Sequence, residues 1–161
     1  MHHDELLTAL LEELTEEIDG IARTPAGLEA VVDARYGELS LLVEHDEEAE
    51  SIRVSAAVPP PAGAGVEFLL WCLHANSQYW DVKVGLDDEG RLLIHADLDV
   101  STALPTDELA ALVSDRAETV VEFIDDDLVG WLLTSDMGTP AQRERWLSRL
   151  DENDLLGDDE D

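Results

Sequence analysis

Val82-Lys83-Val84-Gly85-Leu86-Asp87-Asp88-Glu89-Gly90-Arg91-Leu92-Leu93-Ile94-His95-Ala96-Asp97-Leu98 decides the fold class. Side chains alternate between the two faces of a strand, and both arms alternate: Val82, Val84 and Leu86 on the way out, Leu92, Ile94, Ala96 and Leu98 on the return. Between them, Asp88-Glu89-Gly90 reads as a three-residue loop with Gly90 in the left-handed conformation. That loop sets Asp87 opposite Arg91, Val84 opposite Ile94, Val82 opposite Ala96 and Lys83 opposite His95. Both apolar sets then share one face, so turn chemistry and hydrophobic pattern agree on an antiparallel hairpin.

Upstream, residues 64–77 contain Val66, Phe68, Leu69, Leu70, Trp71, Cys72 and Leu73 and read as a helix that is apolar almost all round. A surface helix needs one apolar face, so this one is expected to bury two. Pro59-Pro60-Pro61 stops a strand at 52–58, which an acidic turn at 46–50 joins to a strand at 38–43. A weaker strand, 28–34, is entered through Thr24-Pro25-Ala26-Gly27. Residues 4–19 form an amphipathic helix on Leu6, Leu7, Leu10, Leu11, Leu14 and Ile18, with Gly20 beyond its end. Downstream, Pro105-Thr106-Asp107-Glu108 opens a long helix to 133. Thr139-Pro140-Ala141-Gln142 opens another, with capping-box spacing and proline at its first position. The expected architecture is α+β: an antiparallel sheet of about five strands flanked by helices, in the order α-βββ-α-ββ-α plus a C-terminal helix. Residues 1–150 form one domain and 151–161 an acidic, mobile tail.

The 161 residues include 39 acidic and 9 basic, for a formal net charge of −30, with Lys83 the only lysine. Such a chain repels phosphate backbones and anionic lipid, which excludes direct nucleic-acid and membrane binding and favours basic partners. A solvated surface or salt adaptation explains the same composition. Two clusters stand out as partner-binding candidates: Glu44, Asp46, Glu47 and Glu48 at a turn, and Asp158 and Asp159 in the tail. The His2-His3 pair carries no weight. The single cysteine excludes an internal disulfide and favours a reducing, cytoplasmic setting. No basic n-region followed by an apolar run opens the sequence, and no stretch reaches the roughly 20 apolar residues of a membrane helix.

No chemistry-bearing motif emerges. Gly63-Ala64-Gly65 follows prolines instead of a strand and lacks a lysine. Asp87-Asp88-Glu89-Gly90 and Asp125-Asp126-Asp127 lack the alternating oxygen ligands of a calcium loop. Cys72 and His74 diverge on a helix, and no carboxyl is marked out by an apolar pocket. No catalytic residue, cofactor or metal is expected.

Between Val66 and Leu133 the chain resembles the YbjN family of bacterial domains. The residues that carry this are Leu73-His74-Ala75-Asn76, Lys83 with Leu86-Asp87-Asp88-Glu89-Gly90-Arg91-Leu92, Ala96-Asp97-Leu98, and Pro105-Thr106-Asp107-Glu108-Leu109. That family's fold is similar to the class I type III secretion chaperones, which are small, acidic, usually dimeric proteins that hold other proteins. The helix at 140–150 and the acidic tail depart from that pattern. The resemblance implies a homodimeric chaperone or adaptor. A basic or partly unfolded protein, such as a nucleic-acid-binding protein, is the expected target. Phe68, Trp71 and Cys72 are expected on the face of the apolar helix beyond the chain's own core, at the dimer interface; the other reading is that Trp146 and Leu150 cover them. An acidic nucleic-acid mimic and an enzyme or metal-binding protein without a recognisable motif are the competing classes.

Overall fold

The computed structural model describes the backbone of residues 2–157 and side chains through 148. Six strands form one antiparallel sheet: β1 (Ala22–Thr24), β2 (Gly27–Asp33), β3 (Glu38–Asp46), β4 (Ser51–Val58), β5 (Lys83–Leu86) and β6 (Leu92–Asp99), in the spatial order β1-β2-β3-β4-β6-β5. The strand beyond the expected five is β1. Pro25-Ala26 is a two-residue hairpin loop that folds Thr24 back onto Gly27, and three residues are too few to show alternation. Gly27 is required there, since a Cβ would lie 2.2 Å from the Val43 carbonyl oxygen.

The hairpin register is the one the sequence implies. Lys83 pairs with His95 and Val84 with Ile94, the Asp87 N–H donates to the Arg91 carbonyl at 3.0 Å, and Gly90 has φ +77°. Strand β5 starts only at Lys83, so Trp80 lies outside it and is 92% exposed. One sheet face collects Leu28, Leu41, Val43, Ile52, Val54, Ala56, Ile94 and Leu98, all buried. Helices α1 (His3–Leu14) and α3 (Thr106–Glu122) cover it. Helix α1 stops short of Gly20, through turns at Thr15–Ile18.

The long C-terminal helix of the sequence reading is three pieces: α3, a π-helical turn (Phe123–Leu128) and α4 (Val129–Thr134). The wide turn keeps Phe123, Ile124 and Leu128 in the core while Asp125 reaches the β2–β3 loop, where its carboxylate accepts the Arg35 and Tyr36 N–H groups at 3.1 and 3.2 Å. Helix α5 (Pro140–Gly157) opens as anticipated. Gln142 N–H donates to Thr139 Oγ1 at 3.2 Å and Thr139 N–H to Gln142 Oε1 at 2.8 Å. It runs past 150 because nothing breaks it before Gly157.

Helix α2 (Val66–Gln78) closes the β5 edge. The Asn76 side chain imitates a strand residue: its Nδ2 donates to the Val84 carbonyl at 2.9 Å and its Oδ1 accepts the Val84 N–H at 2.7 Å. Lys83 Nζ donates to the Asn76 and Tyr79 carbonyls at 2.9 and 3.0 Å, capping the helix. Replacing Asn76 by Leu leaves two partly buried backbone groups unpaired, each costing about 1 kcal/mol or more. Asn76→Leu is expected to lower the urea midpoint by the equivalent of about 2 kcal/mol; an unchanged midpoint would mean that the edge does not need its plug.

Candidate functional site

Helix α2 was expected to present Phe68, Trp71 and Cys72 outward; the structure corrects this. Phe68 and Cys72 are buried in the chain's own core, and Trp71 is half-buried. Within the chain the element that covers them is α4, not Trp146. Trp131 of α4 lies 5.7 Å from Phe68 and 5.4 Å from Trp71 between ring centroids, and Phe123 lies 5.9 Å from Trp71. Trp146 instead packs on Tyr36, 5.7 Å away, and the Leu150 side chain lies outside those described. Burial pushes the Cys72 thiol up to about 11, which makes it a packing residue.

The face that is open is the opposite one. Val66, Leu69, Leu70 and Leu73 are 72, 52, 59 and 66% exposed, at the i, i+3, i+4, i+7 spacing of a single helical stripe. From Val54 to Trp80 the only formal charge is Glu67. The stripe is thus an uncharged apolar surface on a chain of charge −30.

A second unpartnered surface lies at the far edge of the sheet. The Ala34 N–H donates to the Gly37 carbonyl at 2.9 Å, closing the β2–β3 hairpin. Backbone groups alternate in direction along a strand, so Ala34, Val32, Ala30 and Leu28 point theirs toward β3, and Val31 points its N–H and C=O outward. Strand β1 ends opposite Glu29 and does not reach Val31. Beside this edge runs a groove of about 650 Å³ between the chain after α1 and helix α3. Its apolar floor is Ile18, Val32, Leu41, Ala117 and Val121, and its rim carries Glu17, Asp19, Asp33, Glu118 and Glu122. An extended segment laid along Val31 finds a backbone partner, an apolar floor and carboxylates together.

The acidic candidates at 44–48 sit at the β3–β4 hairpin. Glu44 is half-buried and Asp46, Glu47 and Glu48 are exposed. Asp46 Oδ1 accepts the Ala49 N–H at 2.9 Å, and Glu47 accepts the His3 N–H. Glu44, Asp46 and Glu47, with His3, His45, Ser51 and Arg53, line a recess of about 500 Å³. The Nδ1 atoms of His3 and His45 approach to 3.3 Å, and burial followed by His3 holds His45 below the usual imidazole range. Asp158 and Asp159 lie outside the described residues. Among the described residues no three His, Cys, Asp or Glu side chains are grouped to hold a metal ion, and no helix is long and apolar enough to cross a membrane.

A six-stranded antiparallel sheet with helices on one face and a helix plugging its edge defines the class: this is the α+β fold of the type III secretion chaperones. The chain in the HopA1–SchA chaperone–effector complex superposes with a TM-score of 0.52 at 15% identity, over 74% of this chain and 94% of that one. The crystal structure of YbjN from E. coli superposes with a TM-score of 0.55 at 16% identity, over 77 and 92%. Residues 3–128 match the model of the YbjN family, described as "Putative bacterial sensory transduction regulator", and the chain belongs to that family. No curated protein sequence matches it.

Proposed function

We propose that this chain is a non-enzymatic, cytoplasmic adaptor that pairs with a second copy through the α2 stripe and holds an extended basic segment of another protein in the β2 edge groove. The observation that carries the reading is the coincidence at one edge of an outward-facing backbone, an apolar floor and the rim carboxylates Glu17, Asp19, Glu118 and Glu122. Strand addition supplies affinity through main-chain hydrogen bonds and specificity through alternate side chains. Here the alternation required is apolar toward the floor and Lys or Arg toward the rim. A chain of charge −30 also attracts such a segment from a distance. The exposed carboxylates of the β3–β4 hairpin add to that long-range attraction. In the fold neighbour a chaperone is seen with its effector; the reading extends that kind of use, holding another protein, to this family member. A nucleic-acid-binding protein fits as a target because its basic segments are made for anionic surfaces.

The test uses a fluorescein-labelled peptide of alternating Lys and Val, followed by anisotropy at low and high salt. Val31→Pro removes the outward N–H, which β3 does not use, and sets a ring against the incoming strand. It is expected to weaken binding at least about tenfold, a lost hydrogen bond of about 1 kcal/mol compounded by the clash. Reversing the exposed rim charges, Glu118→Lys with Glu122→Lys, is expected to weaken binding and flatten its salt dependence. Undiminished affinity in Val31→Pro would remove the groove from consideration.

A further inference from the structure

The π-helical turn divides the run Asp125-Asp126-Asp127 among three surroundings. Asp125 accepts the Arg35 and Tyr36 N–H groups, and Asp126 is exposed to water. Asp127 meets helix α2, where its Oδ1 accepts the Tyr79 hydroxyl at 2.6 Å. The carboxylate keeps that hydroxyl a donor, pushing the Tyr79 phenol up to about 12. Among the described residues Asp127 has no basic partner and its Oδ2 makes no bond. The Lys83 ammonium is taken up instead by the Asn76 and Tyr79 carbonyls.

Around this carboxylate lies an open recess of about 390 Å³, lined by Trp71, His74, Ala75, Gln78, Tyr79 and Asp127. Part of the lining is aromatic. Tyr79 stands at 83° to Phe123 with ring centroids 5.2 Å apart, and Trp71 is stacked on Phe123 and Trp131. These neighbours hold both rings in place, while Tyr79 stays exposed and Trp71 half-buried. The rest is polar and unsatisfied: the side chains of His74 and Gln78 are exposed and have no hydrogen-bond partner among the described residues.

We infer that this recess binds a guanidinium group, the head of an arginine side chain, with its N–H edge donating to Asp127 Oδ2 and the Gln78 amide oxygen and its plane against the aromatic lining. The lining selects this cation among others. A guanidinium carries five N–H donors in a rigid plane, is more weakly hydrated than an ammonium and stacks on aromatic faces. Tyrosine and tryptophan attract a cation through the ring quadrupole. A quaternary ammonium has no donor for the two oxygens, and an anion is repelled by Asp127. The site shares no residue with the β2 groove, so each reading stands or fails by itself.

The probe is methylguanidinium, titrated at low salt into the isotope-labelled chain and followed by NMR at the Gln78 side-chain amide and the Trp71 indole N–H. One charge-assisted hydrogen bond and one ring contact correspond to a Kd of about 10 mM. Tetramethylammonium, of equal charge but without donors, is expected to bind at least about fivefold more weakly. Asp127→Asn leaves an acceptor for the Tyr79 hydroxyl and removes the charge, and is expected to weaken methylguanidinium about tenfold. Gln78→Ala, at an exposed helix position, is expected to weaken it about threefold. Asp126→Asn makes the same change of net charge one residue away, and its affinity is expected to stay within about 1.5-fold. A capped Ala-Arg-Ala peptide is expected to move the same two resonances. Equal binding of the two cations, or equal losses in Asp127→Asn and Asp126→Asn, would show that only the charge of the whole chain is felt and overturns the site. A response to methylguanidinium with none to the peptide overturns the arginine assignment and leaves a site for free guanidinium compounds.

Discussion

In light scattering at micromolar concentration the chain is expected at about twice its 17.7 kDa mass, and the double variant Leu69→Glu, Leu73→Glu at the monomer mass. Four half- to three-quarter-exposed apolar side chains in one helical row leave each leucine about 1 kcal/mol or more of burial still to gain. Two chains of charge −30 repel everywhere except where charge is absent, and the segment from Val54 to Trp80 with its single Glu67 is where they can approach. A two-fold axis makes the stripe meet itself, so each substitution acts twice. Two lost leucines per copy and four carboxylates brought against one another amount to at least about 5 kcal/mol, a rise in Kd beyond about a thousandfold. A strict monomer for the unsubstituted chain, or an unaltered dimer for the variant, ends the second-copy reading of α2.

That surface also shows where sequence stops being sufficient. The surplus of apolar residues in α2 is plain from Val66 to Leu73, but a helix that is apolar all round has no moment to say which face turns inward. The inward face was decided by Trp131 and Phe123, and these arrive through a π-helical turn that no local pattern announces. Asn76 was visible as a family-like residue, yet its task, pairing with the Val84 backbone, exists only once β5 is an edge. By contrast the hairpin from Lys83 to Leu98 and the Thr139–Gln142 cap were legible in full, because local chemistry alone fixes them. The β2 groove was not legible: it arises from a length mismatch, three residues in β1 against seven in β2, and β1 is too short to signal itself.

Trp146→Ala is the substitution expected to cost most in stability. The indole is fully buried, stacks on Tyr36, has its N–H bonded to the Tyr36 carbonyl, and leaves so little space that a Cβ on Gly138 would sit 2.8 Å from its ring carbons. Truncating a buried tryptophan costs about 3–5 kcal/mol where the surroundings cannot collapse. Here the loss is expected to have an outlet: α5 lies beyond the residues matched to the family, 3–128, and is expected to separate from the β2–β3 hairpin while the sheet, α1 and α3 keep their packing. Hydrogen exchange is therefore expected to accelerate in 140–157 well before it does in β3, β4 and β6, with a stability loss toward the lower end of that range. Uniform acceleration across the sheet would show that α5 is integral to the domain core.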